Sequence, residues 1–155
     1  MEKKQTASNI ALLAPVPLVH LTSGRTTAER EGKVAFGSRA WEVFRQLDHE
    51  RKGMAVDVYI YASHSDDPRA IASWCARYVG QVESIAGAHP AGMRYRPPST
   101  ANDEQGHFAI FWEVEDLHPS PDQERLSLTN FTGFGKSKGY GRDFVPEGPL
   151  LIEHP

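Results

Sequence analysis

Seven histidines, one cysteine and two stretches in which cations alternate with aromatic rings carry most of the chemistry this sequence offers. The first stretch is Met93-Arg94-Tyr95-Arg96-Pro97-Pro98, a ring between two guanidinium groups. The second runs from Thr132 to Arg142. There Lys136, Lys138 and Arg142 fall among glycines, flanked by Phe131, Phe134, Tyr140 and Phe144. Cations neutralise phosphates and rings stack on bases, so the interleaving suits a single-stranded nucleic acid. The plainer alternative is a solvated surface loop. Gly135-Lys136-Ser137 matches the end of a phosphate-binding P-loop, but that motif needs a glycine where Asn130 stands and a helix directly after the serine. Gly139 and Gly141 break such a helix, so the P-loop is rejected.

The histidines are His20, His49, His64, His89, His107, His118 and His154. None forms a close ligand pair and Cys75 has no CxxC partner, so no metal site is expected. His64 with Asp66 and Asp67 has the composition of a turn. Cys75 sits in an apolar run without a nucleophile elbow, where a structural thiol is expected. No catalytic residue and no cofactor is assigned.

Positioning these residues falls to strands and short helices. In Val56 to Tyr61, alternation puts Val56, Val58 and Ile60 on one face and Asp57, Tyr59 and Tyr61 on the other. Rings on a polar strand face can sandwich a planar ligand, so Tyr59 and Tyr61 are favoured for this over Trp112, which shares an apolar face with Phe108, Ile110 and Val114. Trp74 to Ile85 reads as a long strand with a bend or close approach at Gly80, and His107 to Leu117 as another. Ile10 to Ala14 is a short buried strand ended by Pro15 and Pro17. Leu18, Val19 and Leu21 make one helical turn with Gly24 past its end, and Arg25 to Arg30 continue extended. Lys33 to Phe36 is a further strand. Ser38 to Lys52 is the strongest helix, with Ser38 as cap, Ala40, Trp41, Phe44 and Leu47 on its buried stripe, and Gly53 as stop. Asp67-Pro68 begins a short helix reaching Ala72. Gly87 to Gly106 is a long loop of the kind that is functional or disordered. Arg125 to Leu128 and Leu150 to Ile152 are late strands.

Composition sets the outer bounds. Net charge is −3, with 39% hydrophobic and 24% charged residues, as in an ordinary globular domain. Nucleic-acid binding therefore needs a local basic patch. One cysteine permits no internal disulfide, no apolar run reaches membrane-spanning length, and the polar first residues lack a secretion signal, so a cytoplasmic protein is expected. Residues 9–155 are expected to form one domain, with residues 1–8 as a flexible lead.

The run Leu18-Val19-His20-Leu21-Thr22-Ser23-Gly24-Arg25-Thr26-Thr27-Ala28-Glu29-Arg30 resembles the opening motif of ASCH domains. Asp57 to Ser63, then Tyr78-Val79-Gly80-Gln81-Val82-Glu83, then Phe111-Trp112-Glu113-Val114, resemble the middle of EVE domains. Both families belong to the PUA-like superfamily. The resemblance implies an α+β fold, a small mixed β-barrel with flanking short helices, and binding of RNA or modified nucleobases. On that reading Arg25, Thr27, Glu29, Tyr59, Tyr61 and Ser63 line a ligand pocket, and Arg94, Arg96, Lys136, Lys138 and Arg142 contact nucleic-acid phosphates. Some ASCH proteins resemble amidohydrolases of acylated cytidine and use a lysine, a threonine and a glutamate. Here Arg25 stands where the lysine would, and a guanidinium stays protonated. A binding module is therefore expected ahead of a small hydrolase of a modified nucleoside, using Glu29 or the His64–Asp66 loop for proton transfer, or a partner-binding domain.

Overall fold

A computed structural model describes residues 5–103 and 107–155, without the side chain of residue 103. Six strands form one mixed sheet in the order β2-β6-β5-β3-β1-β8: β1 (Ile10–Pro17), β2 (Val34–Ser38), β3 (Val56–Ser63), β5 (Trp74–Glu83), β6 (Ile110–Pro119) and β8 (Leu150–Glu153). Only β1 and β3 run parallel; the other pairings are antiparallel. A separate ribbon joins β4 (Ile71–Ala72) to β7 (Leu126–Ser127). The mixed α+β architecture is as expected. No ladder joins β2 to β8 among the described residues, so strand pairing leaves the sheet open.

The first helix departs most from expectation. Leu18–Glu31 is a continuous α-helix, α1, so Arg25 to Arg30 are helical and not extended. Gly24 is no stop signal. It is a buried contact point, where a Cβ would meet Pro97, Val34 and Leu117 side chains at 3.3, 3.4 and 3.5 Å. The stop is Gly32, in the left-handed region at φ 87°, whose N–H donates to the Ala28 carbonyl. β1 also runs through Pro15 to Pro17. β8 pairs only with Ile10 to Leu13, so both prolines fall where no ladder donor is required.

The second helix, α2 (Trp41–Arg51), follows its expected stripe in part. Phe44 and Leu47 are fully buried; Phe44 stacks on Trp112 at 5.6 Å and meets Tyr78 at 5.7 Å. Trp41 is 44% exposed, so it is not a core residue. Ser38 Oγ accepts from the Ala40 N–H at the helix entrance. Asp48 locks α2 to β5 by accepting from the Tyr78 hydroxyl and the Gln81 amide, both at 2.8 Å. Burial, then the Asp48 carboxylate, push the Tyr78 phenol far up from its ordinary value.

Alternation in β3 is as read: Val56, Val58 and Ile60 are buried in the main core with α1 and α2. The Tyr59/Tyr61 face carries a second cluster, closed by Leu128, Phe131 and Ile152 from the C-terminal part. Gly80 marks a register shift in the β5–β6 ladder and has φ +156°, so the expected mid-strand irregularity is present. No helix follows Asp67. Its carboxylate instead accepts from the Arg69 N–H and guanidinium, which hold it at a pKa of about 2, and the chain enters β4. Residues 5–7 pair alongside Ala55, with Ala7 buried; the rest of the expected flexible lead, residues 1–4, lies outside the described residues. Among the described residues no helix is long and apolar enough to cross a membrane.

Candidate functional site

A large cleft lies where the open sheet nearly meets itself. Residues 14–17 of β1, residues 36–38 of β2 and residues 147–149 ahead of β8 line one hollow of about 510 Å³. β1 and β2 are far apart in the strand order, so the sheet must curl to bring them together. The size is ordinary for a small-molecule site, and the lining is mainly apolar with a few convergent polar groups. The wall is aromatic. Phe36 and Trp112 pair at 5.0 Å, and Phe108 joins them. Phe108 rests on Gly37, where a Cβ would lie only 2.6 Å from the ring, so glycine is required for this seat.

Arg96 forms part of the lining. It is 2% exposed, donates from Nη1 to the Ala35 carbonyl at 2.8 Å, and lies over the Phe111 ring at 4.9 Å and the Phe108 ring at 5.6 Å. Exposed Arg39 donates from Nε to the His107 carbonyl. His20 pairs with Ser99 at 2.7 Å. Exposed Glu147 supplies the acceptor in the lining. The cleft thus combines ring faces, donors and a carboxylate.

A second pocket, of about 430 Å³, opens between β3, β5 and the end of β6. Asp57, Tyr59, Cys75, Arg77, Asp116, His118 and Glu124 are on its walls. Burial, then Asp57, Cys75 and Glu124, push the Tyr59 phenol up, as expected for an acidic surround. Asp116 and His118 also border a shallower hollow holding Arg25 and Glu29, which pair with each other at 3.2 Å on α1.

The expected site residues therefore disperse. Arg25, Glu29 and Tyr59 flank Asp116 and His118 from two sides. Tyr61 packs against the second cluster, and Ser63 ends β3 beside Pro17. Thr27 is fully buried and donates to the Arg96 carbonyl. Arg94 pairs with Glu31 over the Tyr95 ring. Lys136, Lys138 and Arg142 are exposed on a turn whose backbone bonds to β8: Phe134 N–H donates to Leu151, and the Thr132 carbonyl accepts from Glu153. Sequence reasoning missed Phe36, Arg39 and Glu147. The one available signal was Gly37 after an aromatic residue. Among the described residues no three His, Cys, Asp or Glu side chains group to hold a metal ion. Comparison with family models, with curated proteins and with solved structures gives no match.

The C-terminus is tied over Tyr59 by His154, whose Nε2 meets Asp57 Oδ2 at 2.7 Å. Burial alone would lower this imidazole, but the Asp57 hydrogen bond, the Pro155 carbonyl and the Asp57 charge together outweigh it and raise the pKa above its ordinary value. A raised pKa stabilises the fold below the unfolded value and loses that contribution as pH rises through the folded one. The pair is partly exposed, so its worth is about 0.2–1 kcal/mol. Urea midpoints at pH 5.5 and 8.5 should show wild type losing that much more than Asp57→Asn on going alkaline. Equal pH dependence in both proteins would dismiss the staple.

Proposed function

We propose that this chain is a nucleobase-binding module of PUA-like type, taking an unpaired base of RNA or single-stranded DNA, or a modified base, into the cleft between β1 and β2. The observation that carries the reading is the wall of Phe36, Phe108 and Trp112 beside Arg39, Arg96 and Glu147 in one hollow. A base offers a flat face for rings and an edge of donors and acceptors for a guanidinium and a carboxylate. Charge selects this cleft over the second pocket, whose carboxylates would repel a phosphodiester. Exposed Arg39 at the cleft, with Arg94, Lys136, Lys138 and Arg142 beyond it, supplies the phosphate contacts in this reading.

Tryptophan fluorescence titrations with single-stranded RNA, single-stranded DNA and free nucleosides at several salt concentrations test it. Phe108→Ala should weaken binding by about 1–3 kcal/mol, the worth of one stacked base. Arg39→Ala should lower the salt slope by about one. Absence of binding to all three ligand types, or binding indifferent to Phe108→Ala, would remove the proposal.

A further inference from the structure

The second pocket holds a thiol and an imidazole in reacting order. Cys75 Sγ lies 3.2 Å from His118 Nε2, though the two are 43 residues apart in sequence. The other ring nitrogen, Nδ1, lies 2.7 Å from the Asp116 carbonyl oxygen. A carbonyl only accepts, so Nδ1 carries the proton and Nε2 turns its lone pair to the thiol. That is the tautomer a general base requires. Asp116 holds its carbonyl there at φ +54°, a conformation unfavourable for a side-chain-bearing residue, and its carboxylate stands 3.5 Å from the same nitrogen. A register shift lies between Cys75 and Arg77, a place where bulges re-aim side chains.

Arg77 stands beside this pair. Arg77 Nε is buried and has no hydrogen-bond acceptor, while its Nη2 pairs with Glu115 at 3.3 Å. Arg77 lines the same pocket, two residues along the strand from Cys75.

We propose that Cys75 and His118 form a nucleophile–base pair for acyl transfer from an ester or thioester with a cationic leaving group. Cys75 Sγ bonds to the acyl carbon as its proton passes to His118 Nε2. The bond to the leaving alcohol or thiol breaks, and that group takes the proton from His118. Water then attacks the acyl–Cys75 thioester, with His118 again as base, and releases the carboxylic acid and the free thiol. Asp116 is a positioning residue for the ring. The cationic preference follows from Asp57, Asp116 and Glu124 around the thiol. Burial pushes the Cys75 thiol up; a hydrogen bond with Ser120 opposes it and these carboxylates add to it, so the proton leaves during the attack and not before it.

The full chain is incubated with acetylthiocholine and with the neutral phenyl thioacetate, and acylation of Cys75 is followed by mass spectrometry. Expected are one acetyl group on Cys75 and a preference of about tenfold or more for the cationic donor, reduced in Glu124→Gln. His118→Gln should slow acylation by about 10²-fold or more. An unmodified Cys75, or equal rates in His118→Gln, overturns the pair; equal use of the neutral donor overturns the substrate class. The nucleobase cleft is a different site, so either proposal can fail alone.

Discussion

Glu113→Ala should destabilise the protein by about 3–5 kcal/mol, because it breaks a buried charged cluster and leaves partners behind. Glu113 is only 5% exposed on β6. Its two oxygens meet Lys33 Nζ and His89 Nε2, each at 3.1 Å. The two partners are not equivalent. Lys33 is one-third exposed and regains water when the carboxylate is lost. His89 is buried, and its Nδ1 accepts from the Ala91 N–H at 3.0 Å, so the proton is on Nε2 and points at Glu113. Without the carboxylate that N–H has no acceptor. His89 also packs on Tyr95 and Phe111, so the loss reaches the loop that covers this side of the sheet. Glu113→Gln keeps a carbonyl oxygen for His89 and should cost less than half as much. Urea unfolding of the two variants checks this; a cost below about 1 kcal/mol for Glu113→Ala would rule out the cluster as a fold determinant.

The same cluster explains how far the sequence could be read. β3 was legible because its burial alternates with the strand period, and Gly80 because a mid-strand glycine has few other uses. The first helix was hidden. Its buried residues are Leu21, Gly24 and Thr27, and two of those three carry no apolar signal. Gly24 carries the signal of a terminus because close packing and chain stopping both select glycine. Residues 87–103 lack periodicity, since their order comes from Arg96 on Ala35 and His89 on Glu113, contacts across many residues. The candidate sites were hidden for the same reason. The cleft joins β1, β2 and the approach to β8, and the thiol pocket joins β5 to the end of β6. Tyr59 was visible from its polar strand face, whereas Cys75 read as structural because its neighbours in sequence are not its neighbours in space.

Arg96→Ala should cost about 2–5 kcal/mol, comparable to a large-to-small change in a core. Three losses act together. A cavity opens where a long side chain was almost wholly enclosed. The Ala35 carbonyl, on the outer side of β2, loses a charged donor at 2.8 Å. The Phe111 and Phe108 rings lose the guanidinium lying over them at 4.9 and 5.6 Å. The backbone contacts of this segment, Ala35 N–H to Tyr95 O and Thr27 Oγ1 to Arg96 O, do not depend on the side chain and should persist. The fold therefore loosens without losing the strand edge. Arg96→Lys separates charge from shape. An ammonium keeps the charge but has no plane to lie against two rings, so this variant should recover less than half of the lost stability. If Arg96→Lys is as stable as wild type, charge alone holds the cleft wall and stacking contributes nothing. If it is not, Phe108 has lost its support in both variants, and base binding should fall in both, in proportion to the loss of stability measured by urea unfolding.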